Sequence, residues 1–320
     1  MAGQGPTRRV LLASPRAFCA GVERAIDTVQ NLLALHGPPI YVRKEIVHNS
    51  HVVADLRDKG AIFVDELTEV PEGARVVFSA HGVAPAIHEQ AQQRRLDTVD
   101  ATCPLVSKVH SEARRFAAQG KTILLVGHAE HEETDGTYGE APDNIIIIET
   151  ADDAATVSVD DPRRVAYLTQ TTLATNEAAA VVEVLQRRFP ELQAPPDDDI
   201  CYATTNRQNA VRAVAAEADL VLVVGSTNSS NSQRLVDVAR REGVAAWLIE
   251  DATQLRSEWF DAVTTIGLTG GASAPPHLLA GVLEALRTLG PLDIEERITS
   301  TESVYFAPPS LARRPHSRDE

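Results

Sequence analysis

Cysteine is scarce in this chain, with three among 320 residues: Cys19, Cys103 and Cys201. An odd count leaves one unpaired, and no two of them form a C-x-x-C pair, the usual zinc spacing. Long apolar runs are missing as well. VLLA near the start and Ile145–Ile148 are far too short for a signal core or a membrane span, so the chain is expected in the cytoplasm and on no membrane. In that reducing compartment structural disulfides are not expected. Basic residues number 30 against 45 acidic ones, for a net charge of −15. Such a surface repels nucleic acid, which is not expected as a partner. The full Walker pattern G-x-x-x-x-G-K-[S/T] does not occur, since Gly120-Lys121-Thr122 has Arg115 where the first glycine belongs; the dinucleotide fingerprint G-x-G-x-x-G is also missing, and His131-Glu132 is followed by Asp135 where a zinc-protease helix needs histidine. Without a nicotinamide site, any redox chemistry would draw electrons from a separate carrier protein.

What is present is a repeat of long period. Each cysteine stands just before an amphipathic helix. After Cys19, the residues Val22, Ile26, Val29 and Leu33 share a face and Gly37 is a stop; after Cys103, Pro104 suits the first turn, Val106, Val109, Ala113 and Phe116 share a face and Gly120 closes it. After Cys201, Thr204, Thr205 or Asn206 is expected to cap a helix whose stripe is Val211, Val214, Ala215 and Ala218. Each helix leads to an apolar run ending in a polar loop, then a second strand, then a third strand with its own polar loop. Cys19 to His48, Cys103 to His131 and Cys201 to Asn231 are steps of 29, 28 and 30 residues; Cys19 to His81, Cys103 to Thr171 and Cys201 to Ser273 are steps of 62, 68 and 72. Strands alternating with helices imply parallel sheets, with ligands beyond the strands' carboxyl ends. The expected fold is therefore α/β: three similar lobes, each a small, mostly parallel sheet flanked by helices, related by a pseudo-threefold axis. The lobes span residues 21–103, 104–196 and 197–290, with residues 8–20 joining the third. QAPPDDD (Gln193 to Asp199) reads as the linker before it, and residues 291–320 as a C-terminal tail.

Taken singly, a cysteine is most often a small buried hydrophobe. Three at helix starts, one per repeat, are not what packing alone requires, because a helix N-terminus stabilises a thiolate. Soft thiolates suit iron–sulfur clusters, and with three rather than four of them one iron stays open to a substrate. His48, His81, His128 and His131 close polar loops. Gly225-Ser-Thr-Asn-Ser-Ser-Asn-Ser, just before a helix, and Gly270-Gly-Ala-Ser-Ala-Pro in the same lobe suit an anion. Glu133 is the acid candidate, and Thr169, Thr171 and Thr172 are polar groups able to orient a substrate or relay a proton. These residues leave three classes open: a reductase acting on a small anionic substrate, a redox-neutral dehydratase using an open iron as Lewis acid, and a non-enzymatic metal sensor.

The motifs PRAFCAGVERAI, VRKEIVHN, FSAHGV, DATCPLVSKVH, TQTTL, DDICYATTNRQ, VGSTNSSNS and GGASAP run from Pro15 to Pro275. Together they resemble the LytB-type 4-hydroxy-3-methylbut-2-enyl diphosphate reductases of the methylerythritol phosphate route to isoprenoids. The resemblance implies one [4Fe–4S] cluster per chain on Cys19, Cys103 and Cys201, with one open iron. It implies a diphosphate pocket of His48, His81, His131, Ser229, Ser230, Asn231 and Ser273, with Thr171 at the substrate hydroxyl. Glu133 would serve proton delivery, and His131 would be catalytic beside Glu133 and Thr171. The implied reaction is a reductive dehydroxylation giving isopentenyl and dimethylallyl diphosphate, with ferredoxin or flavodoxin as electron donor. One departure stands out: the family's His-Pro-Glu is here His131-Glu132-Glu133. The extra carboxyl of Glu132 is expected to point outward, since a second charge would oppose a diphosphate and raise the pKa of Glu133.

Overall fold

The computed structural model describes residues 6–310 of the chain. Its strands are β1 (Arg8–Ser14), β2 (Ile40–Arg43), β3 (Ala61–Val64), β4 (Arg75–Phe78), β5 (Asp97–Asp100), β6 (Thr122–Val126), β7 (Ile145–Ile148), β8 (Val165–Thr169), β9 (Leu220–Val224), β10 (Ala245–Ile249), β11 (Thr265–Gly270) and β12 (Leu292–Ile298). The helices are α1 (Ala20–His36), α2 (Ser50–Asp58), α3 (Pro85–Gln93), α4 (Pro104–Ala118), α5 (Glu132–Tyr138), α6 (Ala151–Thr156), α7 (Thr175–Arg188), α8 (Tyr202–Ala215), α9 (Ser230–Arg241) and α10 (Pro276–Arg287). The strands form three small sheets, ordered β3-β2-β4-β5, β7-β6-β8 and β10-β9-β11-β1-β12, and every pairing among them is parallel. Three parallel α/β sheets flanked by helices are what the alternating pattern requires.

Contacts divide the chain into two compact units. The first comprises the described residues up to Ala20, His48–Val52 and Tyr202–Tyr305. Its sheet is covered on both faces, which is why LVLVV at β9 is apolar throughout. Leu220, Leu222 and Val224 face one core with Ile266, Leu279 and Val282; Val221 and Val223 face another with Val211, Leu235 and Val238. Each such side chain, wholly buried, contributes about 1.5–3 kcal/mol. The second unit comprises Gly21–Val47, Val53–Cys201 and the described residues from Phe306, and holds the other two sheets. In β6 the same alternation recurs, with Leu124 and Val126 packing beside Leu173, Val181 and Leu185, and Ile123 and Leu125 beside Val109, Ala113 and Phe116.

Three local expectations change. Residues 292–298, assigned to a tail, form β12 and pair with β1 along its whole length. Its alternating charges are used at the sheet edge, where Glu295 binds Arg9 and Arg297 binds Glu217. Residues 311–320 of that tail lie outside the described residues. The stretch 193–199 is more than a linker: Gln193 bridges to Ala166 on β8, and Asp199 is buried. Finally, α8 begins at Tyr202, directly after Cys201, so Thr204, Thr205 and Asn206 lie inside the helix and cap nothing.

Candidate active site

None of the three cysteines forms a disulfide, and all are partly exposed. Cys103 is the N-cap of α4, while Cys19 and Cys201 immediately precede α1 and α8. Their amides share one arrangement. Cys103 N–H donates to Ala80 O, Cys201 N–H to Thr171 O and Cys19 N–H to Ala272 O, at 3.0, 3.1 and 3.2 Å. The three acceptors lie in the loops after β4, β8 and β11, the third strand of each repeat. Each cysteine is thus fixed on the polar loop of one sheet, while α4 packs on β6 and β8 and α8 packs on β1 and β11. Soft sulfur outside any disulfide, at three equivalent and partly exposed positions, is a donor set that fits an iron–sulfur group.

In the second unit the acid candidate is well placed. Glu133 is 2% exposed, accepts Thr171 N–H at Oε1 (2.6 Å) and lies 2.9 Å from Thr171 Oγ1 through Oε2. Burial pushes its pKa up to about 7, against the opposing hydrogen bonds from Thr171. A second buried carboxyl flanks the same loop. Asp199 accepts Thr169 N–H at 3.0 Å and pairs with Lys108 Nζ at 3.3 Å, and burial raises it to about 6. His131 Nδ1 accepts Glu133 N–H at 3.2 Å, which assigns its ring proton in the neutral form to Nε2. The rings of His81 and His131 meet edge to face, 5.9 Å apart. Glu132 does not point outward: its Oε2 lies 3.2 Å from His81 Nδ1, and its side chain is only 26% exposed. A histidine able to share a proton with it offsets the desolvation of the carboxyl. Its charge acts on Asp135, whose pKa burial and Glu132 both raise, and is no principal cause of the Glu133 shift.

The remaining candidates lie in the first unit. Ser229 caps α9, its Oγ accepting Ser232 N–H at 3.3 Å. Asn231 uses Oδ1 to accept Ala272 N–H at 2.8 Å, while its Nδ2 is buried with no hydrogen-bond partner among the described residues. Ser273 Oγ donates to His48 O at 2.9 Å, and Ser50 N–H donates to Ser226 Oγ at 3.0 Å. The two polar loops close on the first turn of α9 because glycine stands on each: a Cβ at Gly225 or at Gly271 would lie 2.2 or 2.1 Å from Ser232 Oγ. His48, Ser229, Ser230, Asn231 and Ser273 therefore belong to one unit, and His81, His131, Glu133 and Thr171 to the other. Small hydroxyls, buried amide donors and imidazoles can hold an oxyanion; Glu133 can hold a proton near neutral pH.

Sequence reasoning missed Asp199, read as linker, and His110, read only as part of a motif. His110 is buried between Gly82 and Gly136 and pairs with Glu140 at 2.8 Å. The signal for it was a histidine inside an apolar helical face.

A family model described as LytB protein matches residues 10–287. The chain is 60% identical over 317 residues to a protein of Acidothermus cellulolyticus named 4-hydroxy-3-methylbut-2-enyl diphosphate reductase, covering 98% of this chain and 93% of that protein. It is 54% identical to the 4-hydroxy-3-methylbut-2-enyl diphosphate reductase 1 of Mycobacterium tuberculosis, covering 95% and 94%. Among solved structures, the E-1-hydroxy-2-methyl-but-2-enyl-4-diphosphate reductase from Plasmodium falciparum superposes with a TM-score of 0.91 at 37% identity, covering 95% of this chain and 96% of that one.

Proposed function

The chain belongs to the LytB protein family, and on that footing we propose how its residues carry out the family's reductive dehydroxylation. The activity is that of an oxidoreductase of the non-mevalonate isoprenoid route, the reduction of 4-hydroxy-3-methylbut-2-enyl diphosphate. Cys19, Cys103 and Cys201 would hold one [4Fe–4S] cluster with one iron left open, and that group would supply the electrons. Two electrons and two protons enter, the C4–O bond breaks, water leaves, and isopentenyl and dimethylallyl diphosphate are the products. The three-lobe division is retained as part of this reading, supported by a common strand order in which the first strand of each repeat lies between the second and the third.

Imidazoles of His48, His81 and His131 and the side chains of Ser229, Ser230, Asn231 and Ser273 bind the diphosphate. Thr171 orients the hydroxyl, and Glu133 delivers the proton on which it leaves, with His131 holding the backbone of Glu133 in place. The observation that carries this reading is the Glu133–Thr171 pair, a buried carboxyl that keeps its proton near pH 7 and touches the hydroxyl that would face the substrate. The unused Asn231 Nδ2 supports the anion pocket. Ferredoxin or flavodoxin is the electron donor, and the compartment is the cytoplasm; no described helix is long and apolar enough to cross a membrane.

The test is an anaerobic assay on protein with quantified iron and sulfide, with and without dithionite. Turnover only with reductant, and three to four iron atoms per chain, support the reading. Turnover without reductant would instead establish the redox-neutral dehydratase.

A further inference from the structure

Beyond the amide bonds described above, each cysteine segment is held by a basic side chain five or six residues after another cysteine. Arg24, on the helix that Cys19 opens, donates Nη1 to Ala101 O and Thr102 O, both at 3.0 Å, and these are the two residues before Cys103. Lys108, on the helix that Cys103 opens, donates Nζ to Asp197 O and Asp198 O at 2.8 and 3.0 Å, shortly before Cys201. Arg207, on the helix that follows Cys201, donates Nη2 to Ala17 O at 2.7 Å and Phe18 O at 3.0 Å, and Nε to Ala17 O at 3.0 Å, directly before Cys19. The relation is cyclic: first helix to second cysteine, second to third, third to first. Ordinary helix packing does not require a cation on cysteine-loop carbonyls three times over.

The counter-charges differ. Arg207 is wholly buried, and a buried guanidinium needs a partner. Glu302 supplies it, with Oε1 and Oε2 at 3.0 and 3.2 Å from Nη1. Glu302 is delivered there by β12, which runs along β1 and is followed by Thr299 N–H bonding Ser14 O. Lys108 has Asp199. Arg24 donates to carbonyls alone, of Ala101, Thr102 and Ala307, with no carboxylate against it among the described residues.

We propose that Arg24, Lys108 and Arg207 are positioning residues for the three cysteine ligands, and that the balance of their charge against Glu302 and Asp199 sets the reduction potential of the group those cysteines hold. This rests on the cluster reading above. An electron added to the cluster would add negative charge, so a nearby uncompensated cation favours the reduced state, and between partly buried groups that effect is screened less than at the open surface.

The experiment is an anaerobic redox titration of the full-length protein, followed by the cluster's absorbance and electron paramagnetic resonance, on wild type, Arg24→Gln, Arg24→Lys and Glu302→Gln. The amide of Glu302→Gln keeps an acceptor for Arg207 while removing the charge. The expected result is equal iron and sulfide in all four, with the midpoint moved negative in Arg24→Gln, positive in Glu302→Gln and back to wild type in Arg24→Lys. Shifts of the same sign in Arg24→Gln and Glu302→Gln, no shift in either, or loss of the cluster from Glu302→Gln would each overturn the electrostatic role. A wild-type chain that binds no iron or sulfide under anaerobic reconstitution overturns the cluster reading itself, and this inference with it.

Discussion

Glu132 Oε2 and His81 Nδ1 stand 3.2 Å apart, so the residue that departs from the family loop is paired with a histidine of the proposed diphosphate pocket. The carboxylate orders the ring, which also lies edge to face with His131. A partly buried pair of this kind is worth about 0.5–1 kcal/mol. Glu132→Ala is therefore expected to weaken binding of inorganic diphosphate by about two- to fivefold, measured by calorimetry at constant ionic strength. Unchanged or tighter binding would show that repulsion by the carboxylate outweighs its hold on the ring.

Glu133 carries the proposed proton. With a pKa of about 7 it is largely protonated at pH 6 and largely ionised at pH 8. Turnover limited by this proton falls as pH rises through that range. Glu133→Gln keeps an acceptor for Thr171 N–H and cannot donate a proton, so kcat should drop about 10²- to 10⁴-fold with cluster content and substrate affinity retained. Wild-type rates in that variant would remove Glu133 from the reaction.

The same group makes stability depend on pH. Its folded-state pKa lies above the unfolded value near 4.5, so the folded chain holds the proton more tightly. The associated stability is fully present below pH 4.5 and is lost as pH rises through about 7. Its size is on the order of 3 kcal/mol. Urea midpoints measured from pH 5 to 8 on metal-free protein should fall less steeply in Glu133→Gln than in wild type. Parallel curves would mean that the carboxyl is not desolvated.

Much of this was legible in the sequence because it is periodic. Apolar runs such as LVLVV and TILLV mark strands buried on both faces, and Gly37 and Gly120 end α1 and α4 with positive φ as expected. β12 was not legible, because LDIEERI places its charges on an edge where Arg9 and Glu217 answer them. Nor was the Arg207–Glu302 pair, since no local pattern links residues so far apart in the chain. Charge repulsion alone would turn Glu132 outward; His81 stands beside it and reverses that, and no local pattern in the sequence pairs the two.

Asn231 gives a sharper test of the anion pocket. Its Oδ1 holds Ala272 N–H, and its Nδ2 is the buried donor left without a partner. Asn231→Asp keeps the acceptor and converts the donor into a negative oxygen. Losing a hydrogen bond to a charged ligand costs about 1.5–3 kcal/mol before like-charge repulsion is added. Diphosphate affinity should fall by at least about tenfold, more steeply at low salt, while the fold persists. Retained affinity would place the diphosphate elsewhere.

Gly82 joins the His81 loop to α4. Its φ is +82°, and a Cβ there would lie 2.9 Å from His110 Cε1 and 3.2 Å from Val106 Cγ1. Gly136 on α5 closes on the same imidazole, with a Cβ 3.3 Å from Nε2. His110 is itself fixed through Nδ1 to Glu140, which also binds Arg114, so it cannot swing aside freely. Gly82→Ala combines left-handed strain with overpacking and should cost about 2–4 kcal/mol. Truncating His110 removes part of the clash. A double-mutant cycle of Gly82→Ala with His110→Ala should therefore show the pair to be less damaging than the sum of the singles by about 1 kcal/mol or more. Additive losses would mean that the Gly82 turn and His110 do not hold each other, and that the His81 loop is positioned by other contacts.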